Sequence, residues 1–174
     1  NKNITNANFG IASSYTISGR VFVDTNEDFV ENFGEVGFAG ATVTASGPTP
    51  AGAVTNSSVF PSPNYSLVNL SAGDYTVKLT VPAGYHLTTL NNLLIPVPLV
   101  KTANFGIAPN TISGRVFVDD GAGGGFAENG AQEPGELGFS GAEVQAKQGA
   151  VVVKSDTTDG SLFPSPNYSF GSLT

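Results

Sequence analysis

Cysteine, methionine and tryptophan are absent from the 174 residues of the sequence, and His86 is the only histidine. The absence of cysteine excludes disulfide bonds, thiolate metal sites and a cysteine nucleophile. A single histidine argues against a catalytic triad and against a metal site built from imidazoles. Nothing in the sequence resembles a paired-carboxylate hydrolase site either. We therefore expect a protein without enzymatic activity.

Basic residues and long apolar runs are also scarce. Seven Lys and Arg residues stand against fourteen Asp and Glu residues, which gives a formal net charge of −7. Binding to nucleic acid needs clustered basic groups and is not expected. No apolar run reaches the roughly 18 residues that span a bilayer, so no membrane span is predicted. Cations are the expected ionic partners.

The abundant residues are those of short strands and turns. The chain has 22 Gly and 11 Pro residues, together with many Thr, Ser, Asn and Val, and this composition predicts an all-β fold. Strands are predicted at 16–23, 40–46, 64–70, 74–81 and 94–107. Most of them alternate apolar and polar residues, and their spacing suggests a Greek-key β-sandwich.

The sequence repeats itself with a long period. TISGRVFVD occurs at 16–24 and 111–119, FPSPNYS at 60–66 and 163–169, and NFGIA at 8–12 and 104–108. A period of about a hundred residues predicts tandem domains. Residues 1–12 then match the closing strand of a preceding repeat, 13–108 form a complete repeat, and 109–174 form an incomplete second repeat that lacks its last strands.

Two expectations follow from this frame. Residues 1–12 should pair with a neighbouring repeat of the same array, or with another copy of the chain in a fibre, because a strand edge without a partner leaves backbone groups unpaired. Pro109 and Asn110 alone separate the second NFGIA from the second TISGRV. So short a joint should hold successive domains in a limited range of angles.

The stretch DTNEDFVENFGE at 24–35 concentrates acidic residues in one loop. Side-chain oxygens fall at loop positions 1, 3, 5, 9 and 12, and position 7 offers a backbone carbonyl; these residues are Asp24, Asn26, Asp28, Asn32, Glu35 and, at position 7, Val30. This order of ligands is that of an EF-hand calcium loop. Hard oxygen ligands favour Ca²⁺ over zinc or copper.

The match has one departure and one alternative. Phe29 stands at position 6, where an EF-hand has Gly, and strands rather than helices flank the loop. The alternative is a solvated acidic loop that binds no ion. In the second copy the loop extends from 119 to 136 and lacks the DxNxD pattern. Its matched ends are Asp119 and Glu136, and the other candidate ligands are Asp120, Glu128, Asn129 and Glu133.

The first repeat contains VFVDTNEDFVENFGEVGFAGATVTASG followed by GDYTVKLTVPAGY. On these stretches residues 16–108 resemble the B-type repeats of serine-aspartate-repeat surface adhesins, a branch of the collagen-adhesin B-domain group. The resemblance implies immunoglobulin-like β-sandwiches strung in tandem on a bacterial cell surface, with calcium held by Asp24, Asn26, Asp28 and Glu35. Arg20 and Lys78 stand where the lysine and the glutamate of an isopeptide bond would be needed in such domains, so no isopeptide is expected.

The function expected from these features is that of a structural stalk or fibre module of an extracellular surface protein, stiffened by calcium. Two alternatives stay open. An adhesin head would bind a host or matrix ligand, with FPSPNYS as a candidate contact surface. A carbohydrate-binding accessory module is the other, although such modules usually expose tryptophan, which is absent here.

Overall fold

The computed structural model of the protein describes residues 13–173, and in that range it contains strands but no helix. The strands are β1 Tyr15–Gly19, β2 Val21–Val23, β3 Thr42–Ser46, β4 Ala51–Val54, β5 Tyr65–Leu70, β6 Gly73–Thr80, β7 Tyr85–Leu87, β8 Leu93–Val97, β9 Phe105–Pro109, β10 Ile112–Gly114, β11 Glu143–Gln148, β12 Val151–Thr157 and β13 Tyr168–Phe170. The all-β prediction is confirmed. No segment between residues 13 and 173 forms an apolar helix of the length that a membrane crossing needs.

The chain divides into two compact units between Ala108 and Pro109. Each unit is described by itself. Residues 1–12, predicted to be the closing strand of a preceding repeat, lie outside the described residues, and the division into that strand, a complete repeat and an incomplete one stays a prediction.

The first unit contains two sheets and one additional strand pair. One sheet has the order β4-β3-β6-β8, with antiparallel neighbours. The other has the order β2-β9-β7, and β1 pairs with β5. Side chains from all of these strands except β4 and β7 meet in one buried cluster, to which those two contribute partly buried residues. Apolar burial between sheets is consistent with a β-sandwich.

The alternating pattern of the strands explains the position of this core. In β6, Tyr75, Val77 and Leu79 are buried, whereas the residues between them are exposed. Successive side chains of a strand point to opposite faces, so this strand presents one face to the core and one to water. The same alternation holds in β3, where Val43 and Ala45 are buried.

The last strand of the first unit runs parallel to β2. Val21 is paired with Phe105, Phe22 with Gly106 and Val23 with Ile107. The five residues of β9 follow a stretch in which Ala103 is already buried. Phe105 and Ile107 are fully buried, so this parallel pairing also closes the core.

The second unit contains two antiparallel pairs, β10 with β13 and β11 with β12. It begins with the same TISGRVFVD sequence as the first unit, but the burial differs. Ile17 is 0% exposed, whereas Ile112 at the matching position is 52% exposed. Within residues 109–173 no strand pairs with 116–118 as β9 pairs with β2.

Tyr65 provides a test of the segment that leads into β9. Its hydroxyl donates a hydrogen bond to the Ala103 carbonyl, and burial raises the pKa of the phenol above its ordinary value. We expect Tyr65→Phe to lower the free energy of unfolding by about 1 to 3 kcal/mol at neutral pH, because a buried carbonyl loses a donor. Chemical denaturation measures this loss.

The pH dependence gives the same test a second readout. Because the folded state raises the pKa of Tyr65, the phenol contributes stability that is fully present below the unfolded pKa of about 10 and is lost as the pH rises through the folded pKa. The Tyr65→Phe variant should therefore lose less stability in alkali than the parent does. Tyr168→Phe, at the matching position of the second unit, is the control. Equal alkaline losses in the parent and in Tyr65→Phe would contradict the assignment.

Candidate cation loop and its arginine clamp

The acidic loop, residues 24–35, follows β2 directly and lies at the end of the first unit where the chain leaves it. The Asp24 amide donates to the Ile107 carbonyl at 2.9 Å. Ile107 is two residues before Pro109, where the second unit begins. The loop is therefore fixed next to the exit of β9.

Asp24 organises the first half of the loop. Its carboxylate is buried and accepts hydrogen bonds from the Asp28 amide at 3.2 Å and the Phe29 amide at 3.0 Å. Phe29 has φ 71°, in the left-handed region that favours glycine. The turn expected at loop position 6 is thus formed without glycine, at a cost of about 1 to 3 kcal/mol for a strained non-glycine residue.

Asp28 lies in the exposed middle of the loop. Its Oδ2 accepts from the amide groups of Asn32 at 2.8 Å and Asn26 at 3.0 Å, and its Oδ1 accepts from the Val30 amide at 3.0 Å. These bonds hold the pKa of Asp28 below its ordinary value, the Asn32 bond most of all and the Val30 bond next. The Val30 carbonyl accepts from the Asn32 side chain at 3.1 Å.

Glu35 joins the two ends of the loop. Its Oε1 accepts from the Thr25 amide at 2.8 Å, and its Oε2 accepts from the Asn32 amide at 2.9 Å. All six predicted ligands of the first loop therefore lie in one hydrogen-bonded turn. Their carboxylates are held by N–H groups, and between residues 13 and 173 no three His, Cys, Asp or Glu side chains form a group suited to hold a metal.

In the second loop, residues 119–136, the final glutamate has the same role as in the first loop. Glu136 is buried and accepts from the Gly121 amide at 3.0 Å and from the Glu133 amide at 3.0 Å. Asp119 accepts from the Gly130 amide at 2.7 Å through Oδ2. Its Oδ1, and Oε2 of Glu133, are buried without a hydrogen-bond partner. Asp120 is exposed and accepts from the Ala122 amide at 3.0 Å.

Arg20 connects the first loop to residues 58–63, which contain the first FPSP and are called the FPSP segment. This arginine is 3% exposed. Its Nε donates to Glu31 Oε1 at 2.5 Å, and its Nη1 donates to the carbonyls of Ser58, at 3.0 Å, and Ser62. A turn lies between those two carbonyls, since the Ser62 amide donates to the Val59 carbonyl at 3.0 Å. We call Arg20, Glu31 and the two serine carbonyls the arginine clamp.

The second unit has the same clamp with one substitution. Arg115 donates from Nη2 to the Ser161 carbonyl at 2.9 Å and from Nη1 to the Ser165 carbonyl. Its Nε donates to Gln132 Oε1 at 2.8 Å. Gln132 takes the place of Glu31, so the acceptor is retained while its charge is lost.

Asn64 and Asn167, the asparagines of the two FPSPNYS motifs, are also structural. Asn64 is fully buried, accepts from the Val21 amide at 2.9 Å and donates to the Val21 and Phe38 carbonyls at 2.8 and 3.2 Å. Asn167 makes the equivalent bonds to Val116 and Phe139. A buried side-chain amide that bonds three backbone groups fixes the motif against β2.

The clamp was not predicted from the sequence. Arg20 was interpreted only as standing where the lysine of an isopeptide bond would be needed, and FPSPNYS only as a candidate contact surface. A signal was present: both repeats place Arg before VFV, and both place Glu or Gln four residues before the final loop glutamate. That pattern could have suggested a paired arginine, although the serine carbonyls carry no signal in side-chain chemistry.

Comparison with protein families matches residues 15–93 to the SdrD B-like domain. This stretch of the chain is a B-type repeat of SdrD-like surface adhesins. The resemblance inferred from the sequence is thereby confirmed for residues 16–93, which include the first loop and the FPSP segment. No curated protein matches the chain. The SdrD B-like domain indicates a stalk-like module of a surface adhesin and an extracellular location.

The clamp predicts a difference between two substitutions at Glu31. Glu31→Gln reproduces the arrangement of Gln132 and keeps an acceptor for Arg20, whereas Glu31→Leu leaves a buried guanidinium without its acceptor and its counter-charge. We expect Glu31→Leu to lower the free energy of unfolding by about 3 to 5 kcal/mol, because it breaks a buried ion pair. Glu31→Gln should cost clearly less. Denaturant titration measures both.

Gln132→Glu in the second unit is the matched control. It should be tolerated, because Arg115 then has a glutamate as its partner, as Arg20 already does. If Glu31→Gln and Glu31→Leu were equally destabilising, the hydrogen bond would not matter and only the charge of Glu31 would count.

Proposed function

We propose that the chain is a structural stalk or fibre module of an extracellular bacterial surface protein, built from tandem immunoglobulin-like sandwiches and without enzymatic activity. The observation that carries the proposal is the position of the acidic loop, whose first residue bonds to β9 at the exit of the first unit. An interaction that orders this loop therefore acts close to the residues where the chain leaves the first unit. The family of residues 15–93 supports the same role.

The strands at the start and the end of the first unit support a role as a spacer. β1 and β2 form a nearly continuous stretch from Tyr15 to Val23, which β9 joins in parallel. At about 3.3 Å per residue this stretch is roughly 30 Å long. The chain thus begins the repeat at one end of the stretch and leaves at the other, beside the loop.

We propose further that calcium orders the first loop through Asp24, Asn26, Asp28, Asn32 and Glu35, with the Val30 carbonyl. The ligand set fits in its chemistry, because all of its donors are oxygen atoms. Asp24 is buried, and the cation nearest in sequence, Arg20, is bonded to Glu31. A buried carboxylate without a cationic partner is costly, and an ion would supply that partner and offset the repulsion within the loop.

The second loop is a further candidate on other grounds. Its buried oxygens without partners belong to Asp119 and Glu133. Such atoms in a folded protein call for an explanation, of which an ion is one. Asp119 and Glu136 remain the proposed ends of this site, with Asp120 as a third ligand.

One observation favours a second function, that of an adhesin head. Both units expose apolar side chains at FPSP, including Phe60 and Phe163, each 47% exposed. An adhesin head with a host or matrix ligand would need such a surface.

Calorimetry of the full chain tests the calcium proposal. With excess calcium the melting temperature should exceed that measured with chelator, because a ligand that binds only the folded state adds about 2.7 kcal/mol at a hundredfold excess over its Kd. Replacing Asp24 and Asp28 by Asn should remove the part of the shift that belongs to the first unit.

Glu143→Gln is the matched control for this experiment, because Glu143 is exposed on β11 outside both loops. It should leave the shift unchanged. Asp119→Asn with Glu136→Gln separates the second loop from the first. Identical melting of the parent chain with calcium and with chelator would rule out the metal role in both loops.

We also propose that residues 8–12 pair with the VFV edge of a preceding repeat or of another copy of the chain. Their sequence, NFGIA, is that of 104–108, which lies along VFV in the first unit. Light scattering should then show concentration-dependent association of the full chain, and Phe9→Asp with Ile11→Asp should abolish it. A strictly monomeric chain in which residues 8–12 pair with 116–118 of the same molecule would overturn this proposal.

A further inference from the structure

The second loop contains an Asn-Gly pair, Asn129 and Gly130, and the sequence has no other such pair. The side-chain amide of an asparagine can be attacked by the backbone nitrogen of the next residue, which closes a succinimide ring and releases ammonia. Glycine hinders this attack least, because it has no Cβ. Both residues are exposed, so water reaches the ring that would form.

The hydrogen bonds around Asn129 bring together the groups that this reaction needs. Its Oδ1 accepts from the Ala131 amide at 2.6 Å, so the side chain folds back over the peptide that follows it. A donor on this oxygen also stabilises the negative charge that develops there when Cγ is attacked. The Gly130 amide donates to Asp119 Oδ2 at 2.7 Å, a charge-assisted bond that favours loss of its proton. Nδ2 of Asn129 donates to Glu133 Oε1 at 2.5 Å.

The first loop carries an aspartate at the position that matches Asn129. Asp28 Oδ1 accepts from the Val30 amide at 3.0 Å, in the same turn that Asn129 makes. The residues that follow them also match in backbone conformation, since Phe29 has φ 71° and Gly130 has φ 77°. The two loops therefore share one turn, which holds a carboxylate in the first unit and a side-chain amide in the second.

We propose that Asn129 is a modification site, where the loop itself promotes conversion of this asparagine to aspartate or isoaspartate. A bond forms between the Gly130 nitrogen and Cγ of Asn129, and the Cγ–Nδ2 bond breaks. The proton of the Gly130 nitrogen passes to water, and the departing nitrogen takes up one proton from water and leaves as ammonia. Water then opens the ring: its hydroxyl group joins a carbonyl carbon and its hydrogen returns to the ring nitrogen. Opening at Cγ gives aspartate, and opening at the backbone carbonyl gives isoaspartate.

The modification adds a carboxylate beside Glu133. One oxygen of Glu133 is already buried without a hydrogen-bond partner, and like charges at close range destabilise each other. An aspartate at 129 also reproduces Asp28 of the first loop. The gain in calcium affinity expected from this carboxylate rests on the function proposed above, whereas the modification itself does not.

Peptide mass spectrometry of the full chain tests the proposal. The chain is kept folded at neutral pH with chelator, so that no ion occupies Asp119, and is digested at intervals. We expect a growing fraction of the peptide that contains Asn129 to show the mass gain of an amide turned into an acid, with an equal amount of ammonia released. This conversion should be faster in the folded chain than in urea, and Asp119→Asn should slow it.

Two matched controls lie in the chain. Gly130→Phe repeats the pair formed by Asp28 and Phe29 in the first loop, and a Cβ at 130 meets no atom within 4 Å, so the variant should fold and lose the conversion. Asn56 makes the same turn, since its Oδ1 accepts from the Ser58 amide at 2.9 Å, but a serine follows it. Asn56 should stay unmodified in the same digests.

The opposite results would overturn the proposal. These are an unchanged mass at Asn129 after the incubation, conversion of Asn56 at an equal rate, or faster conversion in urea, which would show that the loop protects Asn129. Melting with and without calcium measures a different property. Conversion of Asn129 in a chain that calcium does not stabilise would therefore remove the calcium role and leave the modification site in place.

Discussion

Residues 103–107 hold the first unit together largely through backbone groups. The Ala103 carbonyl accepts the Tyr65 hydroxyl, the Phe105 amide donates to the Arg20 carbonyl at 2.8 Å, and the Ile107 carbonyl accepts the Asp24 amide. The parallel pairing of β9 with β2 places all three of these contacts. Strand closure, core burial and the position of the acidic loop thus depend on one short segment. Because all three contacts are made by one five-residue segment, a change that displaces the segment should weaken all of them.

The two copies of TISGRVFVD show how much this segment contributes. Their sequences are identical, and in both units the inner edge is paired in the same way, because Val23 and Val118 donate to Val36 and Leu137 at 2.9 Å. The difference is in what else packs against this sequence, because within the described residues only the first unit has β6, β8 and β9. Burying an isoleucine such as Ile17 stabilises by about 1.5 to 3 kcal/mol. The same sequence therefore gives a strand at 17–19 and at 112–114, but VFV is a strand only in the first unit, where β9 pairs with it. Both that strand and the burial of Ile17 depend on segments distant in sequence.

Periodicity predicted the features that depend on local alternation. β3, β5 and β6 lie where alternating residues indicated them, and the acidic loop has the turn expected from its spacing. β4 and β7 were missed because AGAV and YHL are too short to show a period. The predicted strand at 94–107 is two strands with a break, and within that break Lys101 and Ala103 form backbone hydrogen bonds with Ser18 of β1. The arginine clamp depends on backbone carbonyls, which no side-chain pattern encodes.

The difference between the two clamps changes how many carboxylates lack a cationic partner in each acidic loop. In the first loop the residues at matching positions are Glu31 and Asn32, and the carboxylate of this pair is bonded to Arg20. In the second loop they are Gln132 and Glu133, so the carboxylate has moved by one residue, away from Arg115 and into the loop. There one of its oxygens is buried without a partner, as is one oxygen of Asp119. Because Arg115 no longer offsets that charge directly, compensation has to come from another positive group. The second loop, which matches the calcium spacing less well, therefore has the larger uncompensated charge.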